Sequence, residues 1–267
     1  MTVPSFGSYL RSLVSAGVLA TVCGTAAAHS HPATQPTSRF SAPAVRVAPG
    51  TAPDDFRSAL AIVLNRMMTS YRTAVKEPVR IDVLDSSAPN VQRFLAGVSG
   101  AAFDPHTILA VNFDANARIN GQRTAACMVR FNTERRAELL SGYERSGIFS
   151  RADTVYYLAA HEFGHCMAFH QESLGRRLGL SDKGHEIMAD KVAIAFFMVN
   201  GKPAAARRVV EFNRRLVVDH IHSHPEELEA FVTQMDRLLE GQAPQALASS
   251  MLDIFNLAVA DTPDARR

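Results

Sequence analysis

The chain has 267 residues and a formal charge of +2, with acidic and basic residues interspersed along it. That pattern excludes the concentrated basic surface a nucleic-acid partner would need, and doublets such as Arg176-Arg177 and Arg214-Arg215 read as solvated helix faces. The length suits one well-buried domain and is too short for two ordinary ones with long linkers.

At the N-terminus, Arg11 precedes an apolar stretch, Leu13 to Ala28, that closes on Thr25-Ala26-Ala27-Ala28 before His29. This is a signal-peptide layout over residues 1–28, with cleavage expected after Ala28. The stretch has about the length of a signal h-region and is broken by Gly17 and Gly24, which argues against a permanent anchor. Val22 beside Cys23 is bulkier than lipidation signals accept. No later segment is apolar for membrane-spanning length, so a periplasmic or secreted protein without a stable membrane span is expected after signal removal. Residues 29–52 are rich in Pro, Ser, Thr and Ala and read as a flexible linker or pro-segment. Cleavage would also expose His29-Ser30-His31, an order of groups that suits square-planar copper or nickel, although such exposed termini usually do nothing.

A domain follows over residues 53–242, with a C-terminal helix and tail over 243–267. Phe56, Leu60, Val63, Leu64, Met67 and Tyr71 recur at helical spacing and predict a helix from Asp54 to about Thr73, stopped before Pro78. Val79, Ile81 and Val83 alternate with polar residues as a half-buried strand. Two more strands, Thr107 to Phe113 and Thr124 to Phe131, flank Asn120-Gly121, a dipeptide suited to a tight hairpin. Beyond Thr133 the pattern is helical. Ser150 with Asp153 caps a helix running toward His170, a second helix starts near Ser181 or Asp182 and stops at Gly201, and a third follows Pro203. Ser223 and Glu226, with Pro225 between, predict a capping box for a helix ending at Gly241. Leu247 to Val259 reads as one more docked helix. The fold class is therefore α+β, a small mostly antiparallel sheet packed on a central helix, with a helical C-terminal half. Once Cys23 leaves with the signal, Cys127 and Cys166 remain in an oxidising compartment, either joined in a disulfide or as two separate buried thiols.

The helix after Ser150 carries His161-Glu162-Phe163-Gly164-His165. Histidines four residues apart lie about 40° apart around a helix and one turn along it, so both rings can meet one ion. Glu162, beside the first ligand, can reach a water on the open side of that ion and take its proton during attack on a peptide carbonyl. The bland reading is a surface helix with two solvated histidines. The apolar turn Val155 to Ala160 and the exported context favour the metal, and a purely structural zinc site would more often use cysteines and would not need Glu162.

A third ligand is offered by Glu186-Ile187-Met188-Ala189-Asp190. The pair of motifs, His-Glu-x-x-His followed by Glu-x-x-x-Asp on a later helix, resembles the gluzincin group of zinc metallopeptidases, and Met188 to Ala193 resembles the corresponding stretch of HtpX-like proteases. The resemblance covers Tyr157 to Phe197 and reaches Ser223-His224-Pro225, similar to a His-Pro element beyond the zinc site. It implies a zincin-like fold, one Zn2+ ion on His161, His165 and Glu186, an orienting role for Asp190 toward a ligand histidine, and oxyanion stabilisation by His224. Bracing of a ligand imidazole by a carboxylate is also what its second ring N–H requires. The spacer of twenty residues between His165 and Glu186 is nearer to that of thermolysin-like enzymes, and Ala230 stands near the place of an arginine usual after the His-Pro element. The compact motif helix is shared with ImmA-like peptidases as well, whose cytoplasmic targets do not suit a chain with a signal peptide.

His170 lies five residues after His165, a rotation of roughly 140° that aims it away from a shared ion. His185 adjoins Glu186, but Ala189 gives it no carboxylate partner one turn on, whereas Asp190 stands one turn from Glu186. The expected function is hydrolysis of unfolded or extended polypeptides by a zinc-activated water, with Thr107 to Phe113 or Thr124 to Phe131 as the open strand edge that recruits substrate. The alternatives are a non-catalytic zinc-containing binding or chaperone protein and a small-molecule zinc amidase.

Overall fold

The computed structural model describes residues 53–99, 108–119, 122–135, 137, 140, 143, 146–215 and 223–262. The signal peptide expected over residues 1–28, the stretch from His29 to Ala52 and the tight turn expected at Asn120-Gly121 lie outside the described residues. Helix α1, Pro53–Val75, buries the six apolar positions whose spacing predicted it, from Phe56 to Tyr71. Lys76 then takes a positive φ of 60° and turns the chain into strand β1, Val79–Asp85. A short helix α2, Pro89–Ser99, precedes β2, Leu109–Asp114. A two-stranded ribbon, β3 (Arg118–Ile119) with β4 (Gln122–Arg123), carries the chain back into β5, Ala125–Phe131.

The sheet corrects two expectations. Its order is β1-β5-β2, with β5 antiparallel to β2 and parallel to β1, so it is mixed rather than mostly antiparallel. The ribbon forces β2 and β5 to run antiparallel, and β5 then inserts between β2 and β1 instead of adding outside β2. The segment Thr124 to Phe131 is consequently the central strand and offers no open edge. Its odd-numbered residues Cys127, Val129 and Phe131 join the main core, where the Phe131 ring lies 5.4 Å from that of Phe56.

The helical half is built on α3, Arg151–Ser173, and α4, Asp182–Val199. Ser150 caps α3 by accepting from the Asp153 N–H, and Ser181 caps α4 by accepting from the Gly184 N–H, as their sequence patterns require. Around them pack α5 (Pro203–Arg215), α6 (Pro225–Leu239), α7 (Pro244–Leu247) and α8 (Met251–Ala260). Ser223 does not form the predicted capping box. Its hydroxyl donates instead to the Asn213 carbonyl, and His224 takes the N-cap place of α6 without a side-chain cap. Met251, Ile254, Phe255, Ala258 and Val259 of α8 belong to the same core as α1 and α4. Among the described residues no helix is long and apolar enough to cross a membrane.

Both central helices are buried almost all round, residues 154–171 of α3 and 184–199 of α4. Lys191 on α4 is 1% exposed, and a buried ammonium is costly unless paired. It ion-pairs with the Asp261 carboxylate, donates to the Asp261 carbonyl at 2.8 Å and lies 5.4 Å from the centre of the Phe231 ring. The two helices meet at Gly164. A Cβ there would stand 3.0 Å from the Ala189 Cα and 3.4 Å from the Cβ atoms of Ala189 and Val192. Because the nearest atom is backbone, no side-chain rotation relieves the contact, and a Cβ here would require the helices to part by a few tenths of an ångström. Gly164→Ala should therefore cost about 1 to 3 kcal/mol in denaturant unfolding, as overpacking does, and should weaken metal uptake although no ligand is altered. Unchanged stability and metal uptake would contradict this account of the crossing.

Candidate metal centre

The α3–α4 crossing brings His161 and His165 from one helix against Glu186 from the other. His161 Nε2 lies 3.3 Å from His165 Nε2 and 3.3 Å from Glu186 Oε2, while His165 Nε2 lies 3.6 Å from Glu186 Oε1. All three side chains are buried, and their ligand atoms lie within 4.8 Å of one another, a group that can hold a metal ion. Glu162 is 2% exposed, and its Oε1 has no hydrogen-bond partner among the described residues. Burial pushes its carboxyl up to about 7, with the neighbouring His161 opposing the shift.

Behind His161 stands Asp190, one turn beyond Glu186 on α4. Its Oδ1 accepts from His161 Nδ1 and from the Tyr157 hydroxyl, each at 2.8 Å. Its Oδ2 accepts from Asn213 Nδ2 at 2.9 Å and from His224 Nε2 at 3.0 Å. Burial alone would raise the Asp190 carboxyl, but the hydrogen bonds from His161 and His224 outweigh it and hold the group well below the ordinary carboxylate range. An ionised carboxylate only accepts, so His161 carries a proton on Nδ1 and turns Nε2 toward His165 and Glu186. The two histidines differ in their support. His165 Nδ1 is buried without a hydrogen-bond partner among the described residues. Burial lowers the His165 pKa to about 4, which keeps the ring neutral, as a ligand must be.

The remaining sequence candidates fall into place around this centre. His170 points back to α1, where its Nδ1 meets the Tyr71 hydroxyl at 2.9 Å, and Gln171 donates to the same hydroxyl at 2.7 Å. His185 packs beside the centre, its ring 6.3 Å from that of His165 and 5.5 Å from that of Phe169, yet it supplies no atom to the ligand group. The resemblance implied an oxyanion role for His224. The contact it makes is with the far oxygen of Asp190, on the opposite side of that carboxylate from His161. Tyr157 and Asn213 were not read from the sequence as site residues. Tyr157 had a signal, since it precedes His161 by four residues and so shares its helix face. Asn213 had none, being 23 residues from the group it touches.

Cys127 of β5 and Cys166 of α3 lie at disulfide distance, with Cα atoms 5.7 Å apart and a separation of 39 positions in sequence. Closing a loop of that length contributes about 3 to 4 kcal/mol in the chain-entropy picture, and it ties the sheet to the residue next to His165. Comparison with known families, curated proteins and solved structures gives no match to this chain, so the centre is read from its own geometry.

The surroundings of His161 give its metal uptake a pH dependence. Burial disfavours the imidazolium, but hydrogen bonds to Asp190 and Glu186 prevail and raise its pKa well above the ordinary value. A metal on Nε2 must displace the proton held there. The free state therefore binds one proton more than the loaded state, and affinity should rise about tenfold per pH unit as long as the pH stays below that raised pKa. Calorimetry in buffers of different ionisation enthalpy should register one proton released per ion; pH-independent uptake would refute the assignment.

Proposed function

We propose that the protein is an exported zinc metallopeptidase that hydrolyses unfolded or extended polypeptides. The observation that carries this reading is the ligand spacing beside a buried carboxylate. Tetrahedral zinc with bonds of about 2.0 to 2.1 Å needs ligand atoms about 3.3 to 3.4 Å apart. The two ring nitrogens are 3.3 Å apart, as that requirement asks, and each faces a different oxygen of Glu186, His161 at 3.3 Å from Oε2 and His165 at 3.6 Å from Oε1, so a small turn of the carboxylate would complete the set. The donor set, two imidazoles and one carboxylate, is the kind that leaves an open position on zinc, whereas closed structural sites fill all four with protein atoms.

A zinc ion held by His161, His165 and Glu186 would supply Lewis acidity to water and to a substrate carbonyl. The chain's own contribution is Glu162. Its buried Oε1, raised toward neutrality, is poised to accept a proton from the attacking water and then to deliver it to the departing amine nitrogen. A protein that kept the metal only for stability or binding would gain nothing from burying a carboxylate with an unpartnered oxygen, which opposes folding. Substrate is read to add at β2, which pairs with a strand on one side only among the described residues and packs against α3. Such main-chain pairing favours an extended polypeptide over a small amide. Export rests on the signal layout at the N-terminus and is compatible with the Cys127–Cys166 pair.

Glu162→Gln should retain zinc and fold while losing roughly a hundred- to ten-thousand-fold in cleavage of an unfolded polypeptide, since the amide keeps the shape and cannot take the proton. Near wild-type turnover would sink the mechanism. Glu186→Ala should lose both zinc and activity, whereas His185→Ala and His170→Ala should keep most of each. Metal analysis giving one zinc per chain in Glu186→Ala and none in His185→Ala would remove Glu186 from the ligand set, and activity that survives a chelator would remove the metal reading altogether.

A further inference from the structure

We propose that Asn213, which belongs to no recognisable motif, is a positioning residue of the metal centre: it fixes the Asp190 carboxylate that aims His161. The proposal rests on the metal reading above. Asn213 lies in the last turn of α5 and is fully buried. Its amide spans two groups of fixed polarity. Oδ1 accepts from the backbone N–H of His224 at 3.3 Å, and that group can only donate. Nδ2 donates to Asp190 Oδ2 at 2.9 Å, and the ionised carboxylate can only accept. The flip state of the amide is therefore determined from both ends.

The geometry also explains why this residue type stands here. Each Asp190 oxygen receives two donors, His161 and Tyr157 from α3 on Oδ1, and Asn213 and His224 on Oδ2. With both oxygens loaded, the carboxylate cannot rotate without breaking bonds on each, so the ring of His161 inherits its orientation from α5 and the start of α6. Asn213 acts on Oδ2 directly and, through the His224 N–H, on the backbone of the other Oδ2 donor. Aspartate at this position would keep the volume and the His224 contact but set an acceptor against Asp190. Alanine would remove the donor without adding charge.

The test is zinc affinity measured by competition with a chromophoric chelator, alongside the visible spectrum of the cobalt-substituted protein. Asn213→Asp and Asn213→Ala should each bind zinc about 10- to 100-fold more weakly than wild type, the usual effect of losing an outer partner of a metal ligand. Both should shift the cobalt bands, because the imidazole of His161 turns. Ser223→Ala removes only the hydroxyl tie to the Asn213 carbonyl and should leave both readouts unchanged. If the aspartate variant does not fold, the alanine variant decides. Lowered stability with wild-type zinc affinity and an unshifted cobalt spectrum would assign Asn213 to packing and overturn the proposal alone. A wild-type protein that takes up no zinc would overturn the metal reading, and this proposal with it.

Discussion

The centre depends on how closely two buried helices can approach. His161 and His165 are on α3 and Glu186 is on α4, so the ligand set exists only where the helix axes cross at short range. Gly164, inside the His-Glu-x-x-His motif itself, lacks the Cβ that would stand 3.0 Å from the Ala189 Cα. Glu186 lies one turn before Ala189 on α4, which brings it level with the histidine pair. The motif thus combines two residues that could hold an ion, a buried carboxylate beside them, and one residue whose lack of a side chain sets the distance to Glu186.

A polar centre of this density in a buried place would oppose folding unless its groups satisfied one another. Asp190 does most of that work by absorbing four donors from two helices and the N-cap of a third. The support is unequal. His161 is held by a carboxylate that is itself held, while His165 Nδ1 has no hydrogen-bond partner among the described residues and is steadied by packing, with Phe169 stacked at 6.4 Å and the cysteine pair at the next residue. One ligand is thus positioned by hydrogen bonds and the other by the core, so the two should respond to different kinds of perturbation.

What could be read from the sequence was what is local. The histidine pair with Glu162 follows from helical spacing alone, and Ser150 and Ser181 announce their helices through caps that span four consecutive residues. Register between distant segments was not available by the same route. The order β1-β5-β2 depends on β5 entering between two strands, a choice made by tertiary packing and invisible to alternation within any one strand. Helix α2 was overlooked because it is short and partly solvated, with Phe94 exposed on its surface. Ser223 carried the pattern of a capping box, but the Asn213 carbonyl across the fold competes for its hydroxyl. Asn213 itself could not be found from spacing, since its partners lie on other elements.

The pairing of Lys191 with Asp261 has a consequence for the order of assembly. Lys191 follows Asp190 directly, and the charge it buries in α4 is neutralised by a residue 70 positions later. While the chain is being synthesised or threaded from its N-terminal end, the histidines of α3 emerge long before that counter-charge. Until residue 261 is available, the Lys191 ammonium lacks the ion pair that Asp261 gives it, and the helix bearing Glu186 and Asp190 lacks that anchor. The burial of α4, and with it the placing of Glu186 beside the two histidines, is thereby coupled to the arrival of a residue 70 positions further along the chain.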